Sequence, residues 1–146
     1  PAHAVQFELA ESGFLSDERA MVTSLERLAN LGVSVAIDDF GTGYSSFTNL
    51  RSFAFARLKV AQEFAERSRS SDDERAILRA AVSLADGLGI EAVVEGVESP
   101  ATLEELRALG VESIQGFIVA EPEDGPVMER TLRHPEALKA RIAALP

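Results

Sequence analysis

Two adjacent carboxylates, Asp38 and Asp39, close a mostly apolar run from Val33 to Ile37 and lead into a glycine-rich turn, Phe40-Gly41-Thr42-Gly43-Tyr44-Ser45-Ser46. Other charged or amide side chains stand in the same relation to apolar runs. Glu8 and Glu11 punctuate the alternating stretch from Val5, and Lys59 lies near the end of Phe55 to Val60. Glu95 and Glu98 follow Ile90 to Val94, and Gln115 follows Ser113-Ile114. Carboxylates gathered this closely repel one another, and their pKa values rise unless something neutralises them. An all-oxygen donor set with no thiolate suits Mg²⁺ or Mn²⁺ better than zinc. A pair of such ions a few Å apart would clamp a phosphodiester and activate a water between them.

Each of these residues also has a plainer use. Asp and Gly are among the commonest turn residues, so Asp38-Asp39 and the glycines could form a solvated turn. Glu11 could cap a turn, a lysine ending an apolar strand commonly snorkels to water, and Glu98 could serve the N-terminus of the following helix. Gln115-Gly116 alone says little. The two histidines, His3 and His134, fall in terminal segments and are read as solvated.

What separates the alternatives is the set of elements that would position these side chains. Val5 to Glu11 alternates apolar and polar as a short strand does. A helix follows, capped by Ser16 or Asp17, with Met21, Leu25, Leu28 and Leu31 facing inward and Gly32 ending it. Val33 to Ile37 reads as a strand covered on both faces. A short helix is expected from Ser45 to about Ser52, with Phe47 and Leu50 inward, then a third strand over Phe55 to Val60. The polar run from Glu66 to Glu74 leads into a helix that turns Ile77, Leu78, Ala81, Val82, Leu84 and Ala85 to the core. Strand four covers Ile90 to Val94. Ser99-Pro100 opens the next helix as cap and first-turn proline, and Ser113 to Gly116 is the fifth strand and its exit. A last helix is expected over Pro135 to Ala144. Leu31-Gly32-Val33, Leu88-Gly89-Ile90 and Leu109-Gly110-Val111 repeat one helix-stop, strand-start device.

Alternating strands and helices imply a parallel α/β sheet with right-handed crossovers. In such an array all C-terminal strand ends lie on one face, the face that carries catalysis in (β/α)₈ barrels. Glu8, Glu11, Asp38, Asp39, Glu95 and Glu98 would then share a rim with Lys59 and Gln115.

The 146 residues suit one domain spanning 1–146, with no Pro/Ser-rich linker to divide it. Apolar residues make up 46% of the chain, which excludes disorder, and no run is long enough to span a membrane. Pro1-Ala2-His3 reads as a point of entry into a longer chain rather than a leader. The absence of cysteine excludes disulfides and fits a reducing cytoplasm. A net charge of −10 argues against a duplex nucleic-acid partner while leaving room for a phosphate ligand carried by metal ions.

Asp38-Asp39-Phe40-Gly41-Thr42-Gly43-Tyr44-Ser45-Ser46, with Leu58-Lys59, Glu95-Gly96-Val97-Glu98 and Gln115-Gly116-Phe117, resembles the EAL family of cyclic di-GMP phosphodiesterases. Phe7-Glu8-Leu9-Ala10-Glu11-Ser12 is similar to that family's fourth-strand motif, with Ala10 where Thr is usual. The resemblance implies a (β/α)₈ TIM-like barrel, of which this chain would supply about the last five βα units, strands 4 to 8. It implies cytoplasmic bacterial signalling, with cyclic di-GMP opened to linear pGpG, and leaves room for attachment to a larger sensor or membrane protein. It further implies Glu8, Asp38 and Asp39 as metal ligands, Lys59 on the attacking water or a phosphate oxygen, and Glu95 as a water-handling or metal-linked carboxylate. Glu98 and Gln115 would support the site, and Glu11 would brace the loop from Phe40 to Ser46, which would connect metal occupancy to dimer contacts.

The family's Glu-Ala-Leu block, the arginine after it and the Asn-bearing third strand, all of which precede the fourth-strand motif in the family pattern, do not occur before Phe7 (the Glu136-Ala137-Leu138 run lies at the other end of the chain). Ala61 stands where the pattern has Asp; Ala56 and Val94 also depart from it. A barrel of this kind typically takes about 250 residues. An open segment leaves an unpaired parallel edge, so pairing with the missing barrel half or with a second copy is expected. Two functional classes follow: the C-terminal part of a metal-dependent phosphodiesterase, inactive by itself, or a non-catalytic cyclic di-GMP receptor or interaction domain. A structural α/β domain is the plainest third.

Overall fold

A computed structural model describes residues 1–12, 18–43 and 55–145. Five strands form one sheet: β1 (Gln6–Ala10), β2 (Ser34–Phe40), β3 (Arg57–Val60), β4 (Glu91–Val94) and β5 (Ser113–Ile114). They pair in chain order, and every pair is parallel. Six α-helices are described: α1 (Glu18–Asn30), α2 (Gln62–Arg67), α3 (Asp72–Leu88), α4 (Pro100–Ala108), α5 (Gly125–Arg133) and α6 (Glu136–Ala143). The expected Ser16 or Asp17 cap, the expected helix from Ser45 to Ser52, and Tyr44, Ser45 and Ser46 lie outside the described residues.

The helix ends follow from local chemistry. Ser71 caps α3 by accepting from the Glu74 amide, and Asp72, Asp73 and Glu74 place negative charge on the positive end of its dipole. Gly89, at φ 70°, ends it in the left-handed conformation. Ser99 caps α4 by accepting from the Thr102 amide, with Pro100 in the first turn.

Side chains on a strand alternate between faces. One face of the sheet is apolar and lies under the helices. Leu58, Val60 and Val94 pack there with Phe64 of α2, Leu78, Ala81 and Val82 of α3, and Leu103 and Leu106 of α4. Val35, Ile37 and the buried Phe55 form a second cluster with Met21, Leu25 and Leu28 of α1. The opposite face carries polar side chains in two layers. The lower layer runs across all five strands: Gln6 Nε2 donates to Ser34 Oγ at 3.3 Å, and Arg57 Nη1 to Gln6 Oε1 at 3.4 Å. Arg57 Nε donates to Glu91 Oε2 at 2.5 Å, and Ser113 Oγ to Glu91 Oε1. Ala36, fully buried, lies in register between Glu8 and Arg57. Its methyl leaves room for cationic side chains of β3 to reach over β2 to β1.

Several sequence expectations are corrected. Leu31 is 67% exposed, because α1 ends at Asn30 and Leu31 lies in the turn before Gly32. Ile77 is 43% exposed, on the flank of α3 away from the buried stripe of Leu78, Ala81, Val82 and Ala85. Strand β2 runs on through Asp38, Asp39 and Phe40 instead of stopping at Ile37. Part of the chain read as loop is helical: α2 starts just after β3, and α5 precedes the last helix. Val5 and Phe7, 48% and 52% exposed, mark the edge at β1 where the sheet has no further cover.

Candidate active site

The sheet register breaks between Ile37 and Phe40, where Ile37 pairs with Leu58 but Phe40 with Val60. Two residues, Asp38 and Asp39, fill a gap that β3 spans with one, and a bulge of this kind re-aims side chains at a sheet rim. Asp39 pays for the geometry with φ 54°, a left-handed conformation that Asp tolerates better than most residues. The bulge turns both carboxylates toward β4, and ligand oxygens of Asp38, Asp39 and Glu95 all lie within 4.8 Å of one another.

Lys59 is the counter-charge. Only 5% of the residue is exposed, so it does not snorkel. Its Nζ lies 2.7 Å from Glu8 Oε1, 2.7 Å from Glu95 Oε1 and 3.1 Å from Asp38 Oδ1. Burial opposes its charge, but the close carboxylates of Glu8, Glu95 and Asp38 outweigh it and hold the ammonium above the ordinary lysine range. Like-charge repulsion on the rim is therefore relieved within the chain itself. Asp38 Oδ1 is nonetheless buried without a hydrogen bond directed at it. Its approach to Lys59 is an ion-pair contact off hydrogen-bond geometry.

Glu11 does something different from the other carboxylates. It is 5% exposed, and its Oε2 accepts from the amides of Gly41 at 2.8 Å and Gly43 at 3.1 Å. A charged acceptor thus fixes the start of the glycine-rich loop, while Thr42 Oγ1 donates to the Asp39 carbonyl at 2.9 Å. Phe40, Gly41, Thr42 and Gly43 follow directly on the bulge. Gly41, at φ 101°, also admits the Phe64 ring, whose Cε2 would lie 2.6 Å from a Cβ there.

Beside Asp39 and Glu95 opens a cleft of about 240 Å³, bounded also by Gln62, Glu98, Gln115 and Phe117. Glu98 and Gln115 are thus brought to the site's flank but not onto Lys59. Two glycines shape this cleft. A Cβ on Gly96, at φ 66°, would lie 2.1 Å from Gln62 Cγ, and one on Gly116 would lie 2.2 Å from the Val97 carbonyl oxygen. Gln62, at the start of α2, was not singled out from the sequence, where a glutamine just after an apolar strand carries no signal. The lower polar layer was missed too, although counting back two residues from Glu8, Lys59 and Gln115 reaches Gln6, Arg57 and Ser113 on the same face.

Comparison with known proteins supplies the context. A family model described as the EAL domain matches residues 1–122. Cyclic di-GMP phosphodiesterase RocR of Pseudomonas aeruginosa is 38% identical over 122 residues, which cover 84% of this chain and 31% of that protein. MucR of the same organism, a bifunctional diguanylate cyclase/cyclic di-GMP phosphodiesterase, is 39% identical over 84% of this chain and 18% of its own length. Among solved structures, a c-di-GMP complex of PaMucR phosphodiesterase superposes with a TM-score of 0.82 at 36% identity, over 87% of this chain and 51% of that one. The EAL domain of Mycobacterium smegmatis DcpA gives 0.83 at 37% identity, over 91% and 60%. The chain therefore spans less than two thirds of the relatives it matches, and its five-stranded parallel sheet is part of a TIM-like barrel.

Proposed function

The chain belongs to the EAL domain family, and we propose that it carries the C-terminal five βα units of a domain that hydrolyses cyclic di-GMP to linear pGpG with Mg²⁺ or Mn²⁺. The observation that supports this most directly is Lys59, buried among Glu8, Asp38 and Glu95 beside the Asp38-Asp39-Glu95 cluster. The donor set fits a hard divalent cation: it is all carboxylate, and Asp38 Oδ1 has an undirected lone pair inside it. Asp38, Asp39 and Glu95 would hold the ions; Glu8, paired with Lys59, lies outside that cluster. When bound, such ions supply Lewis-acid polarisation of the phosphodiester and a more acidic water.

The residues of the chain do the rest. Lys59 stays cationic at physiological pH, so it serves as a donor and counter-charge and not as a base. Its ammonium would hold the attacking water or a non-bridging phosphate oxygen. Glu95 would accept the proton of that water as the new O–P bond forms and the ester P–O bond to the ribose breaks, the departing ribose oxygen taking up a proton from solvent. Glu98 and Gln115 would bound the nucleotide in the cleft, and Glu11 would keep the Gly41–Gly43 backbone in place. A substrate of this kind would be met in the bacterial cytoplasm. No helix among the described residues is long and apolar enough to cross a membrane. The exposed Val5 and Phe7 support pairing of the β1 edge with the missing barrel half or a second copy.

One observation favours a second reading, a cyclic di-GMP receptor without turnover. Ala61, buried at the N-cap of α2, offers no side-chain oxygen where the family pattern has Asp. The two readings part in one experiment. A protein carrying these residues together with the preceding strands is incubated with cyclic di-GMP and Mn²⁺, and products are followed by chromatography. Linear dinucleotide is expected, and Asp38→Asn should abolish it while leaving the circular dichroism spectrum unchanged. Tight binding without product would overturn the enzymatic reading in favour of the receptor. The 146-residue chain by itself is expected to show no turnover.

A further inference from the structure

The family match stops at residue 122, yet the chain beyond it reaches back to the cleft. Arg141, on α6, donates from Nη2 to the Phe117 carbonyl at 3.2 Å. Helix α6 buries none of its own residues, so packing alone does not account for its position. Leu145, just past its end, joins the main core cluster. Ile142 and Leu145 also line a cleft of about 540 Å³ with Gln115 and Val119. The helix is thus held at two points, one apolar and one polar, on either side of the segment that carries Gln115.

That segment is rigid on its other side. Val97 N–H donates to the Gln115 carbonyl and Ile118 N–H to the Val97 carbonyl, both at 3.1 Å, and Gly116 lies against the Val97 backbone too closely to admit a Cβ. Phe117 projects from this turn with 51% of its surface exposed, at the mouth of the smaller cleft. Among the described residues, the Arg141 guanidinium ties this turn to the C-terminal helices.

We propose that α6 is a strap and Arg141 a positioning residue, which fixes the Gln115–Phe117 turn and through it the wall of the nucleotide cleft. Its effect on ligand affinity rests on the cyclic di-GMP reading given above; its effect on the turn does not. Loss of a hydrogen bond that holds a surface turn raises its local opening by about 5-fold. The test is Arg141→Ala in the whole chain, with amide hydrogen exchange read at Ile118 and Val119 and at Leu78 and Leu106 as core controls. Exchange at Ile118 and Val119 is expected to rise about 5-fold with the controls and the melting temperature unchanged, and Arg141→Lys, which keeps a donor, to recover part of the protection. Titration calorimetry with cyclic di-GMP and Mn²⁺ should show a several-fold weaker complex for Arg141→Ala. Unchanged exchange at both amides would overturn the strap. Faster exchange with unaltered affinity would overturn the positioning role. A wild-type chain that binds no cyclic di-GMP would count against the proposed function, and exchange alone would then decide the strap.

Discussion

Replacing Lys59 with Met removes the ammonium and keeps most of the apolar stem. Glu8, Asp38 and Glu95 would then face one another with no counter-charge. Breaking a buried ion pair by deleting one partner costs about 3–5 kcal/mol, but the exposures of the partners scale this down. The Glu8 side chain is 45% exposed, so that contact is worth little more than a surface pair, about 0.5 kcal/mol. Asp38 and Glu95, at 26% and 16%, bear most of the loss. The expected destabilisation at pH 7 is about 3 kcal/mol, which in a chain of this size lowers Tm by roughly 9 °C. The pH dependence identifies the cause. The folded-state pKa of Lys59 lies above its unfolded value, so its stabilisation is fully present at neutral pH and is lost only as pH rises past the ordinary lysine range. Circular dichroism melts of wild type and Lys59→Met at pH 7 would measure the deficit. A deficit below about 1 kcal/mol would show that the stem and not the charge sets the effect.

Glu11→Ala should leave the Gly41 and Gly43 amides without their carboxylate acceptor, cost about 1–3 kcal/mol in urea denaturation, and speed exchange at those two amides. Gly116→Ala should cost at least about 3 kcal/mol in the same assay, since the new methyl meets the Val97 backbone, and Gly96→Ala about as much, since it adds left-handed strain at φ 66° to a clash with the Gln62 stem. Glu91, whose carboxyl is held below its ordinary pKa by Ser113 and then Arg57, adds stability above the ordinary carboxylate range that is lost as pH falls through its folded pKa. Its side chain is 43% exposed, which limits this to about 0.5 kcal/mol, and Glu91→Gln should flatten the corresponding slope in melts between pH 5 and pH 3.

The core of the site is legible in the sequence because its residues lie at strand ends, where a charge after an apolar run is a local pattern. Asp38-Asp39, Lys59 and Glu95 need only the rule that parallel strands share a C-terminal face. The bulge that aims Asp38 and Asp39 is not legible, since it depends on β3 spanning with one residue what β2 spans with two. Helix α5 had a readable start, Asp124 as cap with Pro126 in the first turn, but Asp-Gly-Pro reads equally well as a turn. Helix α2 had none: Ala61 offers no cap, and its six residues are too few for an apolar period to declare itself. Leu31 and Ile77 show the limit of periodicity, which names an apolar stripe without saying whether a neighbour covers its margin.

The two polar layers suggest how the sheet holds the site without the rest of the barrel. Lys59 and Arg57 are two residues apart on β3, and each reaches across β2 to β1 and sideways to β4. Both crossings need a small residue beneath them, which Ala36 provides. A larger side chain there would push both cations off β1 together, so the spacing of Glu8 from the Asp38-Asp39-Glu95 cluster is set by a methyl group that touches no ligand. The site is thus built less by the carboxylates themselves than by the period-two ladder under them, in which one layer of hydrogen bonds and an ion pair joins the strands and the next, one pleat higher, gathers carboxylates around Lys59.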